Sequence, residues 1–283
     1  MKDFNDKVAV ITGAASGIGR SLAIQLAARG CRLALADLDK EGLAETWSLL
    51  EAGGPSCTTH LLDVADRDAF EAFASDVIRE HGTVNLLFNN AGVTLVDRVE
   101  SLRYEDFEWV ININFWGVVH GTKAFLPHLQ AADQAHIINI SSLFGLMATP
   151  NQAAYNASKF AVRGFTEALK MEMSGSHVNV TCVHPGGIRT GIARNSRFGL
   201  QDESVTKDDL AVAFEKAAKT TADEAVGKII RGIEKNKRRI LIGPDARWGD
   251  FFVRLFPGSY EKYLGLEKSV RARAAHRAAA DSA

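Results

Sequence analysis

Val8-Ala9-Val10-Ile11-Thr12-Gly13-Ala14-Ala15-Ser16-Gly17-Ile18-Gly19 decides the fold: an aliphatic run enters a glycine turn, and the turn opens an amphipathic helix. Strand, tight turn and helix N-terminus in that order let backbone N–H groups approach a pyrophosphate, which the positive end of the helix dipole favours. Glycine is needed where a Cβ would block the approach. The spacing is G-x-x-x-G-x-G rather than the general G-x-G-x-x-G, so the order of elements carries more weight than the glycines alone. Asp37 closes the second apolar run, where a carboxylate can accept hydrogen bonds from both hydroxyls of an adenosine ribose. Its charge opposes a 2′-phosphate, and Ala14, Ala15 and Ser16 supply no compensating base, although Lys40 is near in sequence. Asp63, with Val64 beside it after the third run, is placed either to touch the adenine or to cap the helix beginning near Asp66.

Outward from that stretch, short apolar runs alternate with longer amphipathic ones. The runs are Val8–Ile11, Leu33–Ala36, Cys57–Leu62, Val84–Phe88, Ile137–Ile140, Val178–Val183 and Ile240–Ile242. Several are apolar nearly throughout, as expected where helices cover both faces of a parallel sheet. Helices are predicted at 17–29, 39–52, 66–81, 104–130, 152–174 and 222–235. With right-handed crossovers, the expectation is an α/β, doubly wound parallel sheet of about seven strands, Rossmann-like, with helices on both faces. Residues 1–245 read as one domain, with the polar segment 188–221 as a substrate-covering flap, followed by a helical C-terminal extension, 246–283.

The composition bounds the function. Across 283 residues, 33 Lys and Arg face 34 Asp and Glu, leaving a formal net charge of −1, which removes the electrostatic footprint of a nucleic-acid binder. Cys31, Cys57 and Cys182 form no C-x-x-C pair and read as reduced, mostly buried thiols. The opening MKDFNDKVAV carries charges where a secretory leader needs an apolar run, and no stretch approaches the roughly 18 apolar residues of a membrane span. A cytoplasmic protein with no metal site is expected.

Tyr155 and Lys159 stand four apart in helical sequence, so both lie on one face one turn from each other. Ser142 follows the fifth strand, at the carboxyl end of the sheet where doubly wound proteins bind ligands. Together, Thr12–Gly19, Asn89-Asn90-Ala91-Gly92, Asn114, Ser142, Tyr155-x-x-x-Lys159 and Pro185-Gly186 resemble the short-chain dehydrogenase/reductase family in its roughly 250-residue form, over about residues 5–245 and in the same order.

The resemblance implies a dinucleotide-dependent oxidoreductase with Asn114, Ser142, Tyr155 and Lys159 as its catalytic set. Oxidising a secondary alcohol requires a base within reach of the hydroxyl while hydride leaves carbon, and Tyr155 is that candidate. A free phenol titrates near 10; the Lys159 ammonium and the oxidised cofactor's positive ring would favour the anion. In the family, the lysine also binds the nicotinamide ribose. Ser142 is expected to donate to the substrate oxygen and is preferred over Ser141 by its interval to the tyrosine. Asn114 resembles the asparagine that holds a water linking the lysine to solvent. Gly13, Ser16, Gly17, Ile18 and Gly19 would cradle the pyrophosphate; Asn90, Ala91 and Gly92 would lie near the adenosine ribose; Pro185, Gly186, Ile188 and Thr190 would wrap the nicotinamide carboxamide. With Asp37, the expected cofactor is NAD rather than NADP.

Rival readings are weaker. No G-x-S-x-G elbow, H-E-x-x-H or clustered Cys/His spacing occurs. A dinucleotide-binding sensor without turnover would have no need of both Tyr155 and Lys159, and an NADPH-dependent carbonyl or 3-oxoacyl reductase is opposed by Asp37. Leu143-Phe144-Gly145-Leu146-Met147, with Thr94, Val96, Ile192, Phe198 and Leu200 as neighbours, suggests an apolar wall and a small lipophilic alcohol or ketone as substrate. In the aromatic segment Trp248–Tyr263, residues Trp248, Phe251, Phe252 and Leu255 form one apolar helical face. That face is expected to pack on its own domain or a sister subunit, or to close the mouth of a substrate cleft at the same time, with membrane contact a weaker alternative. The family resemblance implies a homodimer or homotetramer.

Overall fold

The structure is a computed structural model that describes residues 1–50, 56–192, 196–199, 206, 212, 216 and 218–266. Each apolar run forms a strand of one parallel sheet: β1 Val8–Thr12, β2 Arg32–Asp37, β3 Cys57–Leu61, β4 Leu86–Asn89, β5 Ala135–Ile140, β6 Val178–Pro185 and β7 Arg239–Ile242. The spatial order is β7-β6-β5-β4-β1-β2-β3. The chain builds outward from β1 to β3, then returns to the other side of β1 with β4, so the crevice at the carboxyl ends of β1 and β4 is the switch point where such sheets bind ligands.

Crossover helices cover both faces: α1 Gly17–Ala27, α2 Lys40–Ser48, α3 Arg67–His81, α4 Tyr104–Ile111, α5 Gly117–Ala131, α6 Ala153–Glu172 and α7 Ala222–Glu234. Alternate residues of one strand serve opposite layers. Ala9 and Ile11 pack with Leu22 and Leu26 of α1 and with Ile229 and Ile233 of α7. Val8 and Val10 pack with Phe70 and Phe73 of α3 and with Phe125 and Leu129 of α5. The helix expected over 104–130 is broken by a π turn, Asn112–Trp116, whose one buried residue is Asn114. The helix expected over 39–52 ends at Ser48, and positions 51 and 52 lie outside the described residues. Cys31 and Cys182 are buried and Cys57 is partly buried, all unpaired, as expected; burial pushes the Cys31 and Cys182 thiols up to about 12.

Two short parallel pairs tie loops together at the carboxyl edge. Leu95–Val96 pairs with Arg197–Phe198, and Ile188–Arg189 pairs with Thr220–Thr221. The expected flap is thus anchored near both ends; Leu200, expected to line the cleft, lies outside the described residues. After β7 come α8, Pro244–Leu255, and α9, Tyr260–Tyr263. Within this chain the aromatic face of α8 is largely open, with Phe252 stacked on Phe256 and Tyr263. Ala246 and Gly249 are its buried residues, while Trp248, Phe251 and Leu255 are 60%, 51% and 56% exposed. Close approach to Leu143 and Met147 selects small residues, which a hydrophobicity-weighted period overlooks. The Arg/Ala-rich end lies outside the described residues.

Candidate active site

The glycine turn has the geometry a pyrophosphate needs. Gly13 and Gly17 hold positive φ, +67° and +53°, and a Cβ at Gly19 would overlap the Gly13 carbonyl. Ser16 stands exposed at the N-cap of α1 without bonding the helix through its side chain, and the first turn carries no acidic residue. The N–H groups and positive dipole end of α1 are therefore uncompensated at the rim, while Ile18 packs against the core below.

Asp37 ends β2 beside this turn. Its Oδ2 accepts from Ala15 N at 2.9 Å and its Oδ1 from Asp39 N at 3.1 Å, which fixes the carboxylate at the rim. The nearby Arg20 guanidinium is engaged by the Ala15 and Gly42 carbonyls, Thr46 and Glu45. Asp63 is exposed at the end of β3 and accepts from Ala65 N, whereas Asp66, not Asp63, caps α3 by accepting from Ala69 N. Val64 is buried, and its carbonyl lies 3.2 Å from His120 Nδ1.

The turn after β4 is stitched to the glycine loop. Thr12 Oγ1 accepts from both Asn90 N and Ala91 N, and Asn90 Nδ2 donates to the carbonyls of Thr12 and Gly13. A Cβ at Gly92 would stand 3.2 Å from Asn114 Oδ1 and 3.3 Å from Lys159 Nζ, so this turn reaches the catalytic corner. Asn114 is fully buried; it accepts from Val93 N and donates to the Val93 carbonyl and Ser158 Oγ. Both amide protons are thereby engaged, so its side chain acts as a clasp on the backbone next to Gly92.

Ser142, Tyr155 and Lys159 converge as expected. Ser142 Oγ accepts from Phe144 N at 3.1 Å and stands close enough to the Tyr155 phenol to favour its anion, and Lys159 Nζ lies 5.6 Å from the Tyr155 ring centroid while donating to the Ile140 carbonyl at 3.0 Å. Ser141 is the structural serine of the pair: its buried hydroxyl donates to the Lys159 carbonyl at 2.8 Å. His184 is buried and holds the Ser142 carbonyl through Nδ1 at 3.0 Å.

Electrostatics departs from expectation at the tyrosine. Burial pushes the phenol above its ordinary value, and the Ser142 hydrogen bond, which favours the anion, offsets only part of this. Lys159 is itself drawn down to about 8 by burial. Desolvation is the largest cause for both groups, because both sit in the low-dielectric interior.

The other half of the cleft is built from loops. Pro185 ends β6 opposite Ile242, Gly186 donates to the Ile242 carbonyl at 2.9 Å, Ile188 is buried, and a Cβ at Gly17 would stand 3.1 Å from the Thr190 methyl. Thr190 thus closes over the glycine turn. Phe144 meets Tyr155 edge-on, with ring centroids 6.2 Å apart. Leu143 and Met147 pack instead with Ala246, Val253 and Tyr260 of the extension, so they line the cleft less than the sequence suggested. The Thr94 carbonyl accepts from Arg197 N, Val96 faces Phe198 in the short ladder, and Asp97 N donates to the Asn151 carbonyl just before α6.

A parallel sheet whose carboxyl edge carries a glycine turn over a bare helix N-terminus defines a Rossmann-like nucleotide-binding protein. Residues 7–200 match the family model described as short chain dehydrogenase. The chain is 46% identical to SadH of Mycobacterium tuberculosis over 267 residues, covering 93% of this chain and 96% of SadH. It is 34% identical over 184 residues to the 3-oxoacyl-[acyl-carrier-protein] reductase FabG of Thermotoga maritima, covering 65% of this chain and 75% of FabG. The short chain dehydrogenase/reductase from Burkholderia phymatum in complex with NAD matches with a TM-score of 0.81 at 33% identity, covering 93% of this chain and 97% of that one. The chain belongs to the short-chain dehydrogenase/reductase family, oxidoreductases built on an NAD-binding fold.

Proposed function

We propose that this protein is an NAD-dependent dehydrogenase that interconverts a lipophilic secondary alcohol and its ketone. The observation that carries the reading is the convergence of the Tyr155 phenol, the Ser142 hydroxyl and the Lys159 amine in one buried corner beside the glycine turn. Tyr155 takes the hydroxyl proton during oxidation and returns it during reduction. Ser142 donates to the substrate oxygen as charge develops there. Nicotinamide, when bound, accepts or supplies the hydride. Because burial raises the phenol, Tyr155 ionises only when positive charge gathers in this corner, and Lys159 supplies part of it. Asn114, through Val93 and Gly92, shapes the wall that Lys159 lies against.

Gly13, Ser16, Gly17, Ile18 and Gly19 would hold the pyrophosphate, Asp37 the adenosine ribose with Asn90, Ala91 and Gly92 near it, and Asp63 and Val64 the adenine. Pro185, Gly186, Ile188 and Thr190 would hold the carboxamide. The Asp37 carboxylate at the rim supports NAD over NADP. The apolar substrate class is supported by Phe144 beside Tyr155 and by the ladder that brings Val96 to Phe198. We propose a homodimer or homotetramer, supported by the exposure of Trp116 and Phe160; light scattering on the purified chain checks it.

The test is a panel of secondary alcohols followed by NADH absorbance. Tyr155→Phe is expected to lower kcat by about 10²–10⁴-fold while NADH affinity stays nearly unchanged. Undiminished turnover removes Tyr155 from its role. NAD is expected to exceed NADP in kcat/KM, with Asp37→Ala narrowing the gap; equal use by the unaltered protein overturns the cofactor assignment.

A further inference from the structure

Residues 185–190 leave β6, cross the carboxyl edge and come down on the glycine turn. Their start is fixed by the pairing of Pro185 with Ile242, and their end by the Ile188–Thr220 pairing and the Thr190 contact with Gly17. Between these anchors the chain reads Gly186-Gly187, two residues with little intrinsic preference for one conformation. An external group holds them. Asp245 Oδ2 accepts from Gly187 N at 2.6 Å, and a Cβ at either Gly186 or Gly243 would overlap the Asp245 carboxylate.

Two glycines, Gly186 and Gly243, thus leave the space that one carboxylate fills. Asp245 stands in the first turn of α8, directly after Pro244, where a negative charge complements the helix dipole. The same helix rests its small inner face, Ala246 and Gly249, on Leu143 and Met147, in the loop that follows Ser142. One helix therefore touches both the loop carrying Ser142 and the loop running from Pro185 to Thr190. Asp245 also lies beyond residues 7–200, the part matched by the family model.

We propose that Asp245 is a positioning residue for the nicotinamide end of the cofactor: it presets the Gly186-Gly187 backbone and ties that loop, through α8, to the Ser142 loop. The inference rests on the NAD-binding reading above. Its distinguishing feature is locality, because the adenosine and pyrophosphate subsites around Asp37 and the glycine turn do not involve α8.

The test compares NADH with ADP-ribose, which shares every part of the dinucleotide except the nicotinamide ring, by calorimetric titration of the full chain. Asp245→Ala is expected to weaken NADH about tenfold, near 1.4 kcal/mol, while ADP-ribose changes by less than about twofold. Asp245→Asn, which keeps the shape and one acceptor oxygen, is expected to recover most of the NADH affinity. Equal losses for both ligands would mean a general structural role and overturn the proposal, as would unchanged NADH binding in Asp245→Ala. Failure of the unaltered protein to bind either ligand would instead overturn the NAD-binding reading on which it rests.

Discussion

Ser141 and Ser142 are adjacent, equally polar and both buried, yet they face different partners. Ser141 bonds the Lys159 carbonyl in the interior of α6; Ser142 accepts from Phe144 N and lies beside the Tyr155 phenol, whose anion it favours. Ser142→Ala is therefore expected to lower kcat about 100-fold or more with little change in melting. Ser141→Ala should do the reverse, costing about 1 kcal/mol of stability and roughly 2–4 °C in Tm; parallel kinetics and thermal unfolding separate them. The tyrosine also predicts a pH profile. Burial raises the pH at which it ionises, so the rate of alcohol oxidation should climb with pH into the alkaline range, measured as kcat/KM between neutrality and pH 10. Tyr155 and Lys159 were legible from their spacing, because a four-residue interval on a helix fixes a shared face. The Asn114 clasp was not, since a π turn redirects a side chain without leaving a mark in hydrophobic periodicity.

Among elements, the strands were the most legible, because a parallel strand covered on both faces must be apolar on both. The exceptions inside them are informative. Asn89 and Asn139 occupy facing positions on β4 and β5, and Asn89 Nδ2 donates to Asn139 Oδ1 at 2.8 Å while Asn139 Nδ2 donates to Thr166 Oγ1 at 3.0 Å. These bonds link the two central strands to α6, the helix that carries Tyr155 and Lys159. Asn139→Ala removes two buried hydrogen bonds while Asn89 keeps Thr122 and Thr166 keeps the Val162 carbonyl, so a loss of about 1–2 kcal/mol is expected, read as a fall of a few degrees in Tm. Helix α8 meets its own domain through residues that reading by period does not pick out. Its large aromatic residues form the more conspicuous stripe, but Ala246 and Gly249 allow close packing, and no scale that rewards side-chain size would select them. Asp245 was likewise invisible, since its partners are backbone groups far away in the chain.

At the scale of the molecule, buried histidines set the acid limit. Burial lowers His136 to about 3 and His184 to about 4. Between these values and 6.5 the unfolded chain binds more protons than the folded one, so stability rises with pH across that window and is lost as pH falls through it. Tm is expected to be flat near neutrality and to drop steadily from pH 6.5 towards 4, with His136→Gln making the slope shallower; thermal scans at stepped pH check both. The overall architecture was readable because seven apolar runs separated by helix-length intervals leave few topologies, whereas the loops around the cleft take their shape from long-range partners. The strand order has a consequence during synthesis. Each new strand joins an edge already present, β2 and β3 on one side of β1 and then β4, β5, β6 and β7 on the other, so the sheet can assemble in the direction of translation. A nascent chain that has emerged only as far as β6 still presents that strand's open edge, and this is the stage at which ribosome-associated chaperones would have the most to shield.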